Sequence, residues 1–207
     1  MARALVLGGL STGYHQFWVN GPAIREALVP AGFEVLLSED LELLGTPALF
    51  HYDLLVNYTT GRDLTPAQWE GLTTFIRSGK GLLGIHNAAD TFKNIPGYQE
   101  LLGGRFIKHP PQLDITVEVV DGTHPITEGL SAFTVHDELY LLDWRPERVH
   151  LLAETHSFQD QAVPLAWVRE EGAGRVFYHS LGHNRETLAH KSVRETLQRG
   201  ARWASGL

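Results

Sequence analysis

Eleven histidines and no cysteine set the chemistry that this 207-residue sequence can carry. Histidine titrates near neutral pH and ligates metals, so its positions show where proton transfer or metal binding can occur. The lack of cysteine excludes a disulfide framework, a thiolate zinc site and a cysteine nucleophile. The sequence also has no Gly-x-Ser-x-Gly elbow, no His-Glu-x-x-His zinc motif and no dinucleotide-binding glycine pattern. Its chemistry is therefore expected to rest on imidazole and carboxylate groups.

Three histidines come shortly after apolar runs that are typical of buried strands. His15, His86 and His183 lie beyond the first, the fourth and the last of these runs. Ligands of open α/β sheets bind beyond the carboxyl ends of the strands. We therefore predict that the three imidazoles lie on one rim of a shared site.

Two adjacent acidic residues, Asp137 and Glu138, offer a carboxylate to this site. Neighbouring side chains on a strand face opposite sides, so we do not expect a facing acid–base pair. We predict that Glu138 reaches the site, because the second half of the chain has to fold back over this edge; a solvated acidic turn is the alternative. Imidazole plus carboxylate suits a divalent metal such as zinc, and it equally suits metal-free proton transfer. His86, His183 and Glu138 are thus the candidate catalytic residues and, if a metal binds, its candidate ligands.

The first half of the sequence alternates strand and helix patterns. Its continuous apolar runs suit strands that are covered on both faces, and the alternation predicts right-handed crossovers and a parallel sheet. The predicted strands are 4–7, 33–37, 52–56 and 81–85, and the predicted helices are 22–29 and 66–77. In the second of these helices, Thr65, Pro66 and Gln68 make a capping box with proline in the first turn.

The second half of the sequence has a different pattern. Residues 113–119 alternate apolar and polar side chains, which predicts a half-exposed, antiparallel strand. Residues 165–168 and 175–178 flank a glycine-rich turn and predict a hairpin, and residues 186–204 predict a final helix. The fold class is therefore α/β, with a mainly parallel central sheet, helices on both faces and a β-rich insertion after the fourth strand. With no repeat or linker, residues 1–207 are predicted to form one domain.

Charge and hydropathy exclude two classes of partner. The 17 basic and 24 acidic residues give a net charge of −7, which argues against general nucleic-acid binding. No apolar stretch approaches the ~18 residues that a membrane helix needs, and the N-terminus lacks the pattern of a signal peptide. We expect a cytoplasmic protein with no membrane partner. A homo-oligomer is a reasonable expectation on general grounds, although no residue requires one.

Seven short segments, taken together and in order, resemble the ThuA-like (trehalose utilisation) family of the class I glutamine amidotransferase-like superfamily. They are 84–86, 103–106 with 109–110, 124–130, 137–140, 174–178, 181–183 and 203–204. Each segment alone is weakly specific, but the ordered set spans nearly the whole chain. The resemblance implies a flavodoxin-like α/β sandwich.

The resemblance also places His86 at the fourth-strand elbow, which carries the cysteine nucleophile in true class I amidotransferases. With no cysteine in the chain, thiol-based glutamine hydrolysis is excluded. The histidine near the last strand of the superfamily is matched by His183. We predict that His86 lies at an elbow and faces a pocket; a histidine turned inward to bond a backbone carbonyl is the alternative.

The family's association with trehalose points to carbohydrate metabolism. The first hypothesis is an enzyme that acts on a sugar or sugar-derived small molecule. Its candidate substrate-binding residues are His15, Asn57, Tyr58, Asn87, His109 and Tyr140. The second hypothesis is a non-catalytic domain that binds a sugar or a partner protein on an amidotransferase scaffold.

Overall fold

The computed structural model describes residues 1–9 and 13–207, and most of the strands in this part of the chain join one large sheet. The strands are β1 (Ala2–Gly9), β2 (Phe33–Ser38), β3 (Leu54–Thr59), β4 (Gly81–Ile85), β5 (Gly104–Lys108), β6 (Leu113–Val119), β7 (Phe133–Asp137), β8 (Leu141–Trp144), β9 (His150–Thr155), β10 (Val163–Glu171) and β11 (Gly174–His179). The α-helices are α1 (Phe17–Leu28), α2 (Pro66–Arg77), α3 (Pro96–Leu102), α4 (Arg185–Ala189) and α5 (Lys191–Ser205).

Five strands form the parallel half of the sheet, in the order β2-β1-β3-β4-β11. Along β1, Ala4 and Val6 pack into one core, whereas Leu5 and Leu7 pack into a second core on the opposite face. Because both faces are covered, every position along the middle of this strand is apolar. The predicted parallel arrangement of the first, third and fourth apolar runs is confirmed.

Helices cover the two faces of the parallel half. Ile24 of α1 and Leu197 of α5 belong to the core on one face, and Phe75 of α2 and Leu101 of α3 belong to the core on the other. Helices on both sides of a central sheet make the predicted three-layer, flavodoxin-like arrangement, which is confirmed.

Four antiparallel strands extend the sheet beyond β11, in the order β10-β9-β6-β7. The predicted hairpin is β10–β11, and the predicted half-exposed strand is β6, where Ile115 and Val117 are buried between more accessible neighbours. The smaller pair β5–β8 lies outside the main sheet. All strands from β5 to β10 are inserted between β4 and β11 along the chain, so the predicted β-rich insertion is confirmed.

Helix α2 matches its prediction at both ends, and its capping box is formed between Thr65 and Gln68. Helix α1 begins at Phe17 instead of Pro22, because the buried Phe17 ring packs closely on Gly8 and Gly21. The predicted final helix is two helices: His190, with ψ of 133°, ends α4, and its ring stacks on Phe133. Among the described residues, no helix is both long and apolar enough to cross a membrane.

Candidate functional site

Three strands of the parallel half deliver histidines to one edge of the sheet. His15 precedes α1 in the connection from β1, His86 follows β4 directly, and His183 follows β11. Glu138 comes from the insertion, immediately after β7. The structure brings these four side chains together, and one nitrogen or oxygen of each lies within 4.8 Å of the others. We call these four residues the histidine–glutamate cluster.

The Glu138 carboxylate lies among the three imidazoles. Its Oε2 atom is 3.2 Å from His183 Nδ1, 3.4 Å from His86 Nε2 and 3.9 Å from His15 Nε2. His15 Nε2 and His183 Nδ1 are 3.0 Å apart. Three nitrogens and one carboxylate oxygen therefore converge on a space a few ångströms across.

The second ring nitrogens of two histidines are bound from behind the cluster. His86 Nδ1 lies 2.7 Å from the Ser180 carbonyl oxygen, and His15 Nδ1 lies 3.1 Å from Thr60 Oγ1. A carbonyl oxygen can only accept, so His86 Nδ1 carries a proton, and in the neutral form of the ring Nε2 presents a lone pair to the cluster. This buried Nε2 has no hydrogen-bond partner among residues 1–9 and 13–207.

The members of the cluster differ in how readily they carry a charge. Burial and the neighbouring imidazoles lower the pKa of His15 to about 3, so this ring is neutral at physiological pH. Burial opposes the charged forms of His183 and Glu138, but it is outweighed by the attraction between them and, for Glu138, also by His86: the pKa of His183 is raised, and the pKa of Glu138 is held well below its usual range. Glu138 is therefore an anion among imidazoles, and His183 is the ring that most readily carries a positive charge.

Two members of the cluster have unusual backbone conformations. His15 has φ of 53° and His86 has φ of 42°, in the left-handed region that residues with a side chain seldom adopt. At His86 the chain leaves β4 and turns sharply into a short 3-10 helix, His86–Asp90. The predicted elbow is therefore present. Strain of this kind is often retained where a side chain must be held in one position.

A cavity of about 350 Å³ opens onto the cluster. Its lining residues are Tyr14, His15, Thr60, Asp90, Phe106, His109, Glu138, Tyr140 and His183. His109 Nδ1 is 3.3 Å from Glu138 Oε1. The other three imidazoles contact the second carboxylate oxygen, Oε2. The lining thus combines aromatic rings with polar and charged side chains.

His86 corrects one expectation about this cavity. The ring is fully buried, stacks under Tyr140 at 3.9 Å between centroids, and does not belong to the cavity lining. It touches the site only through Nε2, and its Nδ1 bonds a backbone carbonyl as the alternative interpretation expected. The residue lies beneath the pocket and does not face it.

Three predicted substrate-binding residues lie behind the cavity and not on its lining. Asn57 donates to the Tyr98 hydroxyl, Tyr58 donates to the Gly182 carbonyl, and Asn87 donates to the Tyr58 carbonyl. All of these side chains are buried. Asn57 and Tyr58 are inside the sheet because β3 continues to Thr59, beyond the predicted strand end at residue 56, and Asn87 is buried in the short 3-10 helix after β4. Their position fits a supporting role and not direct contact with a substrate.

Sequence reasoning did not assign a role to Asp137, which supports the cluster from below. This side chain is fully buried, and its Oδ2 accepts hydrogen bonds from the backbone N–H of Gly182 at 2.8 Å and of His183 at 3.4 Å. Asp137 and Glu138 thus face different parts of the site, as neighbours on a strand do. Only the adjacency to Glu138 could have pointed to it.

Comparisons with known proteins identify the family. The family model described as "ThuA: Trehalose utilisation" matches residues 3–204. The chain belongs to this family. No significant match was found among curated proteins.

Solved structures show how widely the ThuA-family fold is shared. A ThuA-like protein from Parabacteroides merdae superposes with a TM-score of 0.86 at 18% identity, covering 99% of this chain and 90% of that one. A ThuA-like protein from Bacteroides uniformis gives 0.81 at 23% identity, with 98% and 91% covered. A β-galactosidase from Rahnella sp. R3 gives 0.67 at 14% identity, with 95% of this chain but 31% of the enzyme covered. At these identities, the likeness shows the fold alone.

Proposed function

We propose that this ThuA-family protein is an enzyme that acts on a sugar or sugar-derived small molecule at the histidine–glutamate cluster. The observation that carries the proposal is the convergence of three imidazoles and one carboxylate at the floor of a cavity. Groups of this kind move protons to and from hydroxyl and carbonyl oxygens near neutral pH. The chain has no cysteine, so the reaction is not thiol-dependent amide hydrolysis.

The cavity walls suit a sugar ring. Its volume of about 350 Å³ lies within the range of small-molecule sites, roughly 300–1,000 Å³. Tyr14, Phe106 and Tyr140 offer aromatic faces for the C–H surface of a pyranose, and Asp90 and His109 offer polar groups for its hydroxyls. The family's link to trehalose utilisation points to the same class of molecule.

A second groove supports a substrate longer than one ring. It has a volume of about 370 Å³, runs along α3 and β5, and meets the first cavity at Phe106. Lys93, Gln99 and Arg105 on its walls are hydrogen-bond donors for hydroxyl or carboxylate oxygens. A disaccharide, or a sugar with a polar substituent, fits two adjoining compartments better than a single hexose.

The test is turnover by the purified protein of a panel of disaccharides and their 3-keto derivatives, followed by proton NMR. Glu138→Gln keeps the size of the side chain but removes its charge, and it should lower kcat/KM by at least about 100-fold. His156→Ala is the control, because His156 pairs with Glu118 and belongs neither to the cluster nor to the cavity lining. Binding without turnover would favour the non-catalytic domain instead, and equal turnover by Glu138→Gln and wild type would refute the proposed site.

The cytoplasmic location, the absence of nucleic-acid and membrane partners, and a homo-oligomeric state stay predictions.

A further inference from the structure

We infer that the histidine–glutamate cluster binds a divalent transition-metal ion, with zinc as the first candidate. His15 Nε2, His86 Nε2, His183 Nδ1 and Glu138 Oε2 are the ligand atoms. The inference deepens the proposed function, because it assigns a cofactor to the same site, and only the metal's role in the reaction rests on that function. Binding itself can be measured without a substrate.

The spacing of the four atoms fits a metal. Ligand atoms at about 2.0–2.1 Å from an ion lie roughly 3.0 Å apart at right angles and roughly 3.4 Å apart in a tetrahedron. The observed separations from Glu138 Oε2 are 3.2, 3.4 and 3.9 Å, and the His15–His183 separation is 3.0 Å. All four atoms lie within 4.8 Å of one another, so one ion can bind them once the side chains draw in around it.

The donor set selects the class of ion. Imidazole nitrogens suit zinc, copper, iron and nickel, whereas calcium and magnesium prefer oxygen ligands throughout. The cluster offers three imidazole nitrogens and one carboxylate oxygen within 4.8 Å of one another. A neutral imidazole and an ionised carboxylate are the forms that bind metals.

The outer contacts of the cluster are those of metal-ligating histidines. Such a histidine commonly donates its other N–H to a backbone carbonyl or a nearby side-chain oxygen, which fixes the ring and the tautomer. His86 does this with Ser180, and His15 contacts Thr60 in the same way. The buried lone pair on His86 Nε2 has no hydrogen-bond partner among the described residues, although burying an unpaired polar atom is unfavourable. An ion at the centre of the cluster satisfies that atom.

The bound ion would supply Lewis acidity to a sugar hydroxyl or carbonyl oxygen in the cavity. His109 would then be the imidazole outside the ligand set: its Nδ1 lies 2.8 Å from the Pro110 carbonyl oxygen and 3.3 Å from Glu138 Oε1, the oxygen that the cluster does not share. Its side chain is 43% exposed, so a substrate can reach it. His109 is thus placed to move a proton beside the ion without ligating it.

The experiment measures metal and not turnover. The full chain is purified without a histidine tag, its metal content is measured by plasma mass spectrometry, and the ion is then removed with a chelator. Zn²⁺ and Co²⁺ are titrated back, and the visible spectrum of the Co²⁺ form reports the ligand geometry. We expect about one ion per chain and one saturable site.

Variants locate the site. Glu138→Gln and His183→Ala should weaken Zn²⁺ binding by more than about 100-fold, since even outer partners of a ligand are worth about 10- to 100-fold. Thr60→Val should weaken it by about 10-fold, whereas Thr60→Ser keeps the hydroxyl and should match wild type. His109→Ala should retain one ion per chain. Circular dichroism of each variant separates loss of a ligand from loss of the fold.

Two results would overturn the inference. One is a chain that is metal-free as purified and shows no saturable binding of Zn²⁺, Co²⁺, Ni²⁺ or Mn²⁺. The other is a bound ion that survives in folded Glu138→Gln and His183→Ala, which would put the site elsewhere. Turnover together with the first of these results would refute the inference and leave the proposed function standing. One bound ion per chain with no turnover of any sugar would support the metal site and refute the proposed enzymatic function.

Discussion

Replacing Asp137 with alanine should destabilise the protein and loosen the segment that carries His183. Asp137 lies at the end of β7 and is fully buried. Its Oδ2 atom accepts from the backbone N–H of Gly182 at 2.8 Å, and the longer contact to the N–H of His183 is 3.4 Å. The substitution removes this acceptor from the turn, so the Gly182 N–H loses its partner in a buried environment.

The magnitude follows from the two contacts. Leaving a buried donor without its acceptor costs about 1–3 kcal/mol, and the contact at 3.4 Å adds little because it is at the limit of hydrogen bonding. We expect the free energy of unfolding to fall by about 2–3 kcal/mol. For a chain of this length, one kcal/mol corresponds to roughly 2–4 °C in melting temperature. The melting temperature should therefore fall by about 5–10 °C.

The assay is urea unfolding followed by circular dichroism, with thermal melting alongside. Asp114→Ala is the matched control, because Asp114 pairs with His136 at the surface and its side chain is 79% exposed. An exposed ion pair contributes at most about 1 kcal/mol. Asp137→Asn keeps one oxygen that can accept from Gly182, so it should be less destabilising than Asp137→Ala. If Asp137→Ala costs no more stability than Asp114→Ala, the assigned role of the buried carboxylate is wrong.

Two further predictions concern residues beside the cluster. Burial lowers the pKa of His179 to about 4, below its ordinary value of about 6.5. Between these two pH values the unfolded chain binds a proton at His179 that the folded protein does not, so the stability of the folded protein falls as the pH drops from about 6.5 to 4. His179→Gln can keep the hydrogen bond to the Leu181 carbonyl but has no group that titrates. In urea unfolding at several pH values, the free energy of unfolding of wild type should therefore fall by on the order of 3 kcal/mol more than that of the variant over this pH range. Parallel pH dependences of the two proteins would contradict this. Gly182 has φ of +128°, and a Cβ there would lie 2.9 Å from Ile85 Cγ2, so Gly182→Ala should cost about 1–3 kcal/mol in urea unfolding and shift the NMR signals of the His183 ring. Wild-type stability with an unshifted ring would show that this turn tolerates a side chain.

The parallel half of the fold follows from local patterns in the sequence. The apolar run in β1 needs two cores to bury it, and a helix on each face provides them. Thr65, Pro66 and Gln68 fix the start of α2, because a capping box satisfies backbone groups that only a helix terminus exposes. In both cases, the residues that predict the element lie within it or directly beside it.

The supporting residues of the site depend on contacts that are distant in sequence. Tyr58 lies beyond the predicted strand 52–56, and its hydroxyl reaches the Gly182 carbonyl, 124 residues further along the chain. Asp137 contacts the backbone of the same turn from a strand of the insertion. His190 interrupts a helical pattern that is amphipathic on both sides of it, and its ring stacks on Phe133 of β7. No local rule indicates these contacts, because each is made by tertiary packing.

The elbow after β4 connects the fold to the chemistry. In the amidotransferases that this scaffold resembles, a nucleophile at this position must be accessible to attack a substrate. Here His86 keeps the left-handed backbone conformation, with φ of 42°, but its ring is buried and its Nδ1 is bound to the Ser180 carbonyl. A ring held in this way cannot advance toward a substrate, and its only free atom, Nε2, points at Glu138. The strained elbow therefore positions a fixed nitrogen donor within the cluster, and the titratable groups that can meet a substrate are those on the cavity side, which include His15, Glu138, His183 and His109.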